Sequence, residues 1–254
     1  MTSRIITGKR TAIDIIRAYH EKQARLGEQK DAPDTEPTTH IVSPNLTHPE
    51  NYILLAGRTH GSYTYPNLLV ATKRTHLSED WNQATTALHQ QREYMLTPRQ
   101  FVDFLTLLKT GTACDGSNTP LERNKQESIL DDITSQRAPW RAEWLDHAYV
   151  KNGSNFYVKY HVLQADGSIT QIEAPLEDCL MKDKQIDFDD WLARANTQGL
   201  PPKNVRSGNL HYWYPRVGAV ARFFASADWT YLDCDRNPQC SNATLGVRAA
   251  KLGR

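Results

Sequence analysis

Apolar residues recur at helical spacing in five stretches of the chain. The clearest runs from Thr97 to Lys109, where Thr97 and Gln100 form a capping box and Gly111 follows as a stop signal. Pro98 occupies the first helical position, which needs no N–H donor. The apolar stripe of this segment predicts a helix buried against a sheet, and it consists of Phe101, Phe104, Leu105 and Leu108. Weaker patterns predict a short helix after Thr11, one capped by Ser78, one from about Pro120 to Ser135 and one capped by Asp187.

Other stretches alternate apolar and polar residues and predict strands. Phe156, Val158 and Tyr160 alternate before the turn signal Asp166-Gly167, and Ile169 begins the return strand of a hairpin. Further strands are predicted at 52–56, 63–72, 211–214, 217–224, 229–232 and 243–249. The pattern as a whole predicts an α+β fold, with helices in the first half and short, mostly antiparallel strands in the second.

The first fifty residues differ in pattern from the rest. After the short helix that follows Thr11, residues 28–50 carry four prolines among polar residues and show no periodicity. We therefore expect an N-terminal helix and Pro-rich arm over residues 1–50 and one folded domain over residues 51–254.

Charge and composition argue against several classes of function. Lys and Arg number 30 and Asp and Glu 29, a net charge of +1 that provides no bulk field to attract nucleic acid or an anionic membrane. The longest apolar runs, such as Tyr52 to Ala56, are far shorter than the roughly 18 residues of a membrane-spanning helix. The basic start is not followed by the apolar core of a signal peptide. We expect no signal peptide, transmembrane segment, membrane insertion or nucleic-acid partner, and a cytoplasmic chain after synthesis.

Motifs that carry chemistry are scarce. The nine histidines contain no HxxxH or HExxH pair, and the chain has no phosphate-binding loop and no GxSxG, so we expect no metal, no cofactor and no catalytic residues. Asp233 and Asp235 open a segment like a calcium loop, but Pro238 and Thr244 replace its required Gly and Glu. Cys234 and Cys240 are read as ordinary thiols, with a catalytic pair as the alternative.

The C-terminal stretch mixes large aromatic side chains with small polar ones. That composition is typical of a binding surface, because rigid rings supply contact area while short polar groups adapt their hydrogen bonds. The alternative is a polar β-meander without a ligand. The candidate ligand-binding residues are Phe224, Ser226, Asp228, Trp229, Tyr231, Asp233, Asp235, Arg236, Asn237, Gln239, Ser241 and Asn242.

Several segments carry a family resemblance. Gly246-Val-Arg-Ala-Ala250 lies close to the C-terminus, and this motif together with the segments 206–215 (RSGNLHYWYP) and 219–223 (AVARF) resembles the variable proteins of diversity-generating retroelements. Segments 94–105, 140–145 and 175–181 are also similar to that family, so the likeness extends from about Asn51 to the C-terminus. It implies a C-type lectin fold of the formylglycine-generating-enzyme-like subtype.

The resemblance also implies a function. In such proteins, residues of a hypervariable segment, here about 216–244, are rewritten through the retroelement, while framework residues stay in the core. The chain would then be no enzyme but a phage or prophage protein, displayed on a virion or surface, that binds an unknown protein or cell-surface ligand. Two alternatives are a thiol or copper oxidase of the formylglycine-generating type using Cys234 and Cys240, and a structural viral decoration protein. The oxidase branch is less favoured because its GG[SA]W segment is missing. The framework residues would be Val220, Phe223, Leu232, Leu245, Val247 and Arg248.

Overall fold

A computed structural model describes residues 46–164 and 166–253. The helix predicted after Thr11 and most of the Pro-rich arm lie outside these residues. The described part contains a 3-10 turn at Pro49–Asn51 and the helices α1 (Trp81–Gln90), α2 (Pro98–Thr110), α3 (Arg123–Thr134) and α4 (Phe188–Arg194). Its strands are β1 (Tyr52–Leu55), β2 (Arg58–His60), β3 (Tyr63–Tyr65), β4 (Leu68–Ala71), β5 (Tyr94–Met95), β6 (Cys114–Asp115), β7 (Arg141–Asn152), β8 (Asn155–Leu163), β9 (Ile169–Pro175), β10 (Lys184–Ile186), β11 (Leu210–Trp213), β12 (Val220–Ala225), β13 (Thr230–Arg236), β14 (Leu245–Gly246) and β15 (Ala249–Leu252).

These strands form three sheets. The largest has the order β10-β11-β13-β12-β7-β8-β9, with β14 added beside β7, and it is antiparallel except where β11 pairs with β13 and β14 with β7. A second sheet has the order β5-β15-β4-β1-β6, and β2 and β3 form a separate hairpin. The predicted hairpin around Asp166-Gly167 is confirmed, because β8 and β9 pair from Tyr157–Pro175 to Leu163–Ile169.

Helices cover both faces of the large sheet. On one face, α2 and α4 pack against β12: the Phe223 ring lies 5.2 Å from Phe101 and 6.2 Å from Trp191, measured between ring centroids. On the other face, α1 packs against β7, and the Trp81 indole N–H donates to the Leu145 carbonyl at 3.0 Å. We refer to the second face as the α1 face. The apolar core therefore lies on both sides of β7 and β12.

We expected an α+β C-type-lectin-like domain with helices in its first half and strands in its second. This expectation is wrong, because helices and strands are mixed along the chain. Helix α4 lies at residues 188–194, and six strands precede residue 116. Short strands such as β2 and β6 leave little periodicity in the sequence, and β6 pairs with β1, some 60 residues earlier in the chain. One cap also differs, since α1 is capped by Asp80 rather than Ser78, through a capping box with Gln83.

The end of the chain closes the second sheet. Instead of one strand over 243–249, β14 joins the large sheet while β15 lies between β5 and β4 in the other. Arg248, between them, is 1% exposed. It donates to Glu143 from Nε at 3.1 Å and from Nη2 at 2.7 Å, and to the carbonyls of Ala71 and Thr72. The C-terminus thus reaches the start of the domain, where Lys251 Nζ donates to the Tyr52 hydroxyl at 2.8 Å.

Candidate functional site

Four rings line up on the α1 face where α1 does not cover it. We call Trp229, His211, Tyr231 and Phe224 the aromatic row. Successive ring centroids are 4.4 Å, 5.1 Å and 4.1 Å apart, and the last pair is stacked with planes 2° apart. Strand register explains the row, because His211 and Phe224 lie opposite Tyr231 on the two neighbouring strands. Trp229 is 37% exposed and the other three rings are half-buried.

The opposite sides of the same strands are core. Phe223, Leu232 and Tyr212 point away from the row and are at most 1% exposed. This division confirms the predicted alternation between Tyr231 and Leu232. Each expected framework residue is also buried; the set comprises Val220, Phe223, Leu232, Leu245, Val247 and Arg248.

The Ser226 hydroxyl and the Gln185 amide make hydrogen bonds at the exposed end of the aromatic row. Ser226 Oγ accepts from the backbone N–H of Asp228 at 3.3 Å and of Trp229 at 3.2 Å, which fixes the turn between β12 and β13. The Gln185 amide donates to His211 Nε2 at 3.0 Å. Partial burial lowers the pKa of His211 and so favours the neutral form of its ring.

An ion pair lies beneath the other end of the row. Arg222 Nε donates to Asp233 Oδ2 at 2.8 Å, and the Arg222 guanidinium lies 4.2 Å from the Phe224 ring centroid. The expectation that Asp233 is an exposed binding residue is wrong, because it is only 4% exposed. Arg222 on β12 lies directly opposite Asp233 on β13, and this pairing makes burial of both charges possible.

The remaining candidates divide between exposed and half-buried positions. Asn237 and Asn242 are exposed, yet their side-chain oxygens accept from Gln239 and Thr244 N–H groups at 2.9 Å each and so shape their own loop. Exposed side chains are also found at Asp228, Gln239 and Ser241, whereas half-buried ones are found at Ser226, Asp235 and Arg236.

Asp235 belongs to an acidic group at the edge of the α1 face. Burial, followed by the neighbouring Asp233 carboxylate, raises the pKa of Asp235 to about 7. Arg216 partly offsets this, since it bridges Asp235 at 3.3 Å and Asp183 at 3.0 Å. Through Arg216 the group ties the loops that precede β10 and β12 to strand β13. The described residues contain no set of three His, Cys, Asp or Glu side chains placed to hold a metal ion.

The two C-terminal cysteines are not brought together. Cys234 is fully buried near Tyr149 and Tyr212, on the face that packs against α2 and α4, and burial raises its pKa well above the ordinary value. Cys240 instead packs against the cluster of Trp81 and Trp144 on the α1 face. Both are free thiols. A buried thiol with a raised pKa is a poor nucleophile, so this placement does not build a thiol site from the pair.

Sequence reasoning missed the residues that β11 contributes. His211 is part of the row, and Trp213, 39% exposed, lies on the same face beside it. Their alternation with the buried Leu210 and Tyr212 was a usable signal. The parallel pairing of β11 with β13, which places them beside Tyr231, was not readable from local pattern.

Within the described residues, helices long and apolar enough to cross a membrane are absent. Comparison of the chain with protein-family models, with curated proteins and with solved structures gives no match in any of the three.

Proposed function

We propose that this protein binds a protein or cell-surface ligand through the aromatic row and the polar loops around it, and that it performs no chemistry. The observation that carries the proposal is the row itself. Its four rings are contiguous and partly exposed on strands whose other side is core. Clustered exposed rings mark interaction sites, and Trp and Tyr dominate binding hot spots.

The sequence resemblance further implies that residues of this surface are diversified. In the proposal the chain is a variable protein of a diversity-generating retroelement, and residues 216–244 supply its diversified positions. The candidate binding residues and the framework residues are largely different sets, which supports this proposal. Substitutions at exposed positions usually change the free energy of unfolding by no more than about 0.5 kcal/mol, while the buried framework stays constant. Asp233 is excluded from the diversified set by its buried ion pair.

The genomic part of the proposal has a direct test. The DNA beside the gene should contain a near-copy of the last hundred or so bases of the coding sequence, differing mainly at adenines, next to a reverse transcriptase gene. Finding neither in the native genome would remove the retroelement from the proposal while leaving the binding surface to be tested on its own.

Binding is tested by truncating the exposed end of the row. A partner is captured from the native host or its neighbours and titrated against Trp229→Ala. We expect affinity to fall by about 2 kcal/mol, roughly thirtyfold in Kd, if Trp229 is a hot spot. The denaturation midpoint should change little, because Trp229 lies in the turn before β13 and packs mainly against the His211 ring.

Leu77→Ala is the matched control. Leu77 is 49% exposed and lies against Gly246, outside the row, so its removal should leave affinity intact. Equal affinities of wild type and Trp229→Ala, or equal losses in both variants, would show that the row is not the binding surface.

A further inference from the structure

One guanidinium on the α1 face lacks a partner. Arg236 is half-buried, and its Nε is shielded from solvent without a hydrogen bond. Within the described part of the chain, Arg236 makes no ion pair and its side chain donates no hydrogen bond, whereas Arg216 and Arg222 nearby are both ion-paired. The Nη atoms of Arg236 are not among the shielded ones, so an acceptor from solution can reach this end of the guanidinium.

The charged groups around Arg236 are paired with one another. Arg222 is close enough that the Arg236 charge helps to lower its pKa, after the larger effect of burial. The carboxylate that balances this pair of guanidiniums is Asp233, which is already bound to Arg222. Asp235 is paired with Arg216. Together with Arg216 and its second carboxylate, Asp183, these side chains form a group of three guanidiniums and three carboxylates, in which Arg236 alone makes no ion pair among the described residues.

The place of Arg236 connects it to the aromatic row. Register puts it opposite Val220 at the end of β13, on the α1 face, and Arg222 lies between it and the Phe224 ring. The exposed side chains of Asn237, Gln239 and Ser241 follow in the next loop. A ligand that covers the rings can therefore extend an acidic group toward Arg236.

We propose that Arg236 is an oxyanion subsite, which takes a carboxylate or phosphate group of the ligand. This inference rests on the proposed function for the identity of the ligand but not for the subsite itself. A guanidinium is suited to the task because its planar fork of donors matches the two oxygens of either group. The bound oxygens would accept from the two Nη groups of Arg236, since its Nε is shielded from solvent.

The subsite can be tested with small anions before any partner is known. The Arg236 Nε–H signal is identified in a ¹⁵N spectrum by its loss in Arg236→Gln. Sodium acetate and sodium phosphate are then titrated separately at constant ionic strength, with sodium chloride making up the difference. We expect a saturable shift of this signal with at least one of the two, and the stronger anion identifies the group that the subsite prefers.

Two comparisons distinguish anion binding at Arg236 from a general effect of salt on charged side chains. Arg92 is an exposed arginine without an ion pair in the described residues, and its Nε–H signal should shift only linearly and weakly. Arg236→Lys keeps the charge but loses the fork, so anion affinity, followed by neighbouring backbone signals, should fall at least about tenfold. No saturable shift at Arg236 with either anion, or the same response at Arg92, would overturn the subsite.

The two proposals fail separately. If Trp229→Ala leaves partner binding intact while Arg236 still binds an anion, the aromatic row is wrong and the subsite stands. If Trp229→Ala weakens partner binding while Arg236 shows no saturable response, the binding surface stands and the oxyanion subsite is wrong.

Discussion

At the scale of single residues, the ion pair of Arg222 and Asp233 separates framework from binding surface. Both side chains are less than one-tenth exposed, and Arg222 also supports the Phe224 ring. The pair stabilises the fold less through its own attraction than through the cost of leaving either charge buried alone. Asp233 should therefore tolerate far less change than the exposed candidates Asp228, Asn237 and Gln239.

Replacing Asp233 by Asn tests this difference. The change leaves the Arg222 charge buried without its carboxylate, and we expect a loss of about 3–5 kcal/mol in the free energy of unfolding. Asp228→Asn, at an exposed position of the preceding turn, should change it by less than about 0.5 kcal/mol. Urea denaturation of both variants is the measurement, and equal midpoints would show that Asp233 is not framework.

At the scale of elements, α2 is the helix whose sequence and structure agree most closely. It spans Pro98–Thr110, and its capping box joins Thr97 and Gln100. The residue after its end, Gly111, has a left-handed conformation with φ of 74°. The whole predicted stripe is fully buried, namely Phe101, Phe104, Leu105 and Leu108. These signals are local, so neighbouring residues suffice to specify the element.

Phe104→Ala tests the contribution of α2 to the core. Removing a fully buried ring leaves a cavity between α2 and the sheet, and we expect a loss of about 3–5 kcal/mol. Thr110→Ala, exposed in the last turn, serves as the control and should have little effect. A Phe104→Ala midpoint equal to that of the control would contradict the burial of this helix.

At the scale of the whole molecule, the last ten residues join the two larger sheets. Strand β14 pairs with β7 in one sheet, and β15 lies inside the other. Arg248 connects Glu143 on β7 to the carbonyls of Ala71 and Thr72 at the end of β4. Because these partners are more than 100 residues away in the chain, the domain closes only when its C-terminus is in place.

Ending the chain after Thr244 should therefore abolish cooperative folding. The deletion removes β14, β15 and Arg248, and it leaves Glu143 buried beside Arg141 without its bidentate partner. Ending it after Leu252 removes two residues beyond the last strand and should preserve folding. Thermal denaturation followed by circular dichroism distinguishes the two truncated chains. A cooperative transition in the shorter chain would show that this segment is not required for folding.

The amino-acid sequence by itself determined the features that depend on near neighbours. These are the bounds of α2, the β8–β9 hairpin, the Asp187 cap of α4 and the alternation that separates Tyr231 from Leu232. Caps, turns and periodicity act over a few residues, which makes them readable from pattern. The aromatic character of the candidate surface was equally visible.

Only the tertiary structure decided which distant residues meet. The parallel pairing of β11 with β13 adds His211 to the row, and the pairing of β12 with β13 buries Asp233 against Arg222. The same pairings leave Arg236 without an acceptor among the described residues and separate Cys234 from Cys240. Such outcomes depend on strand register and on charges contributed by remote segments, and local periodicity carries no information about either.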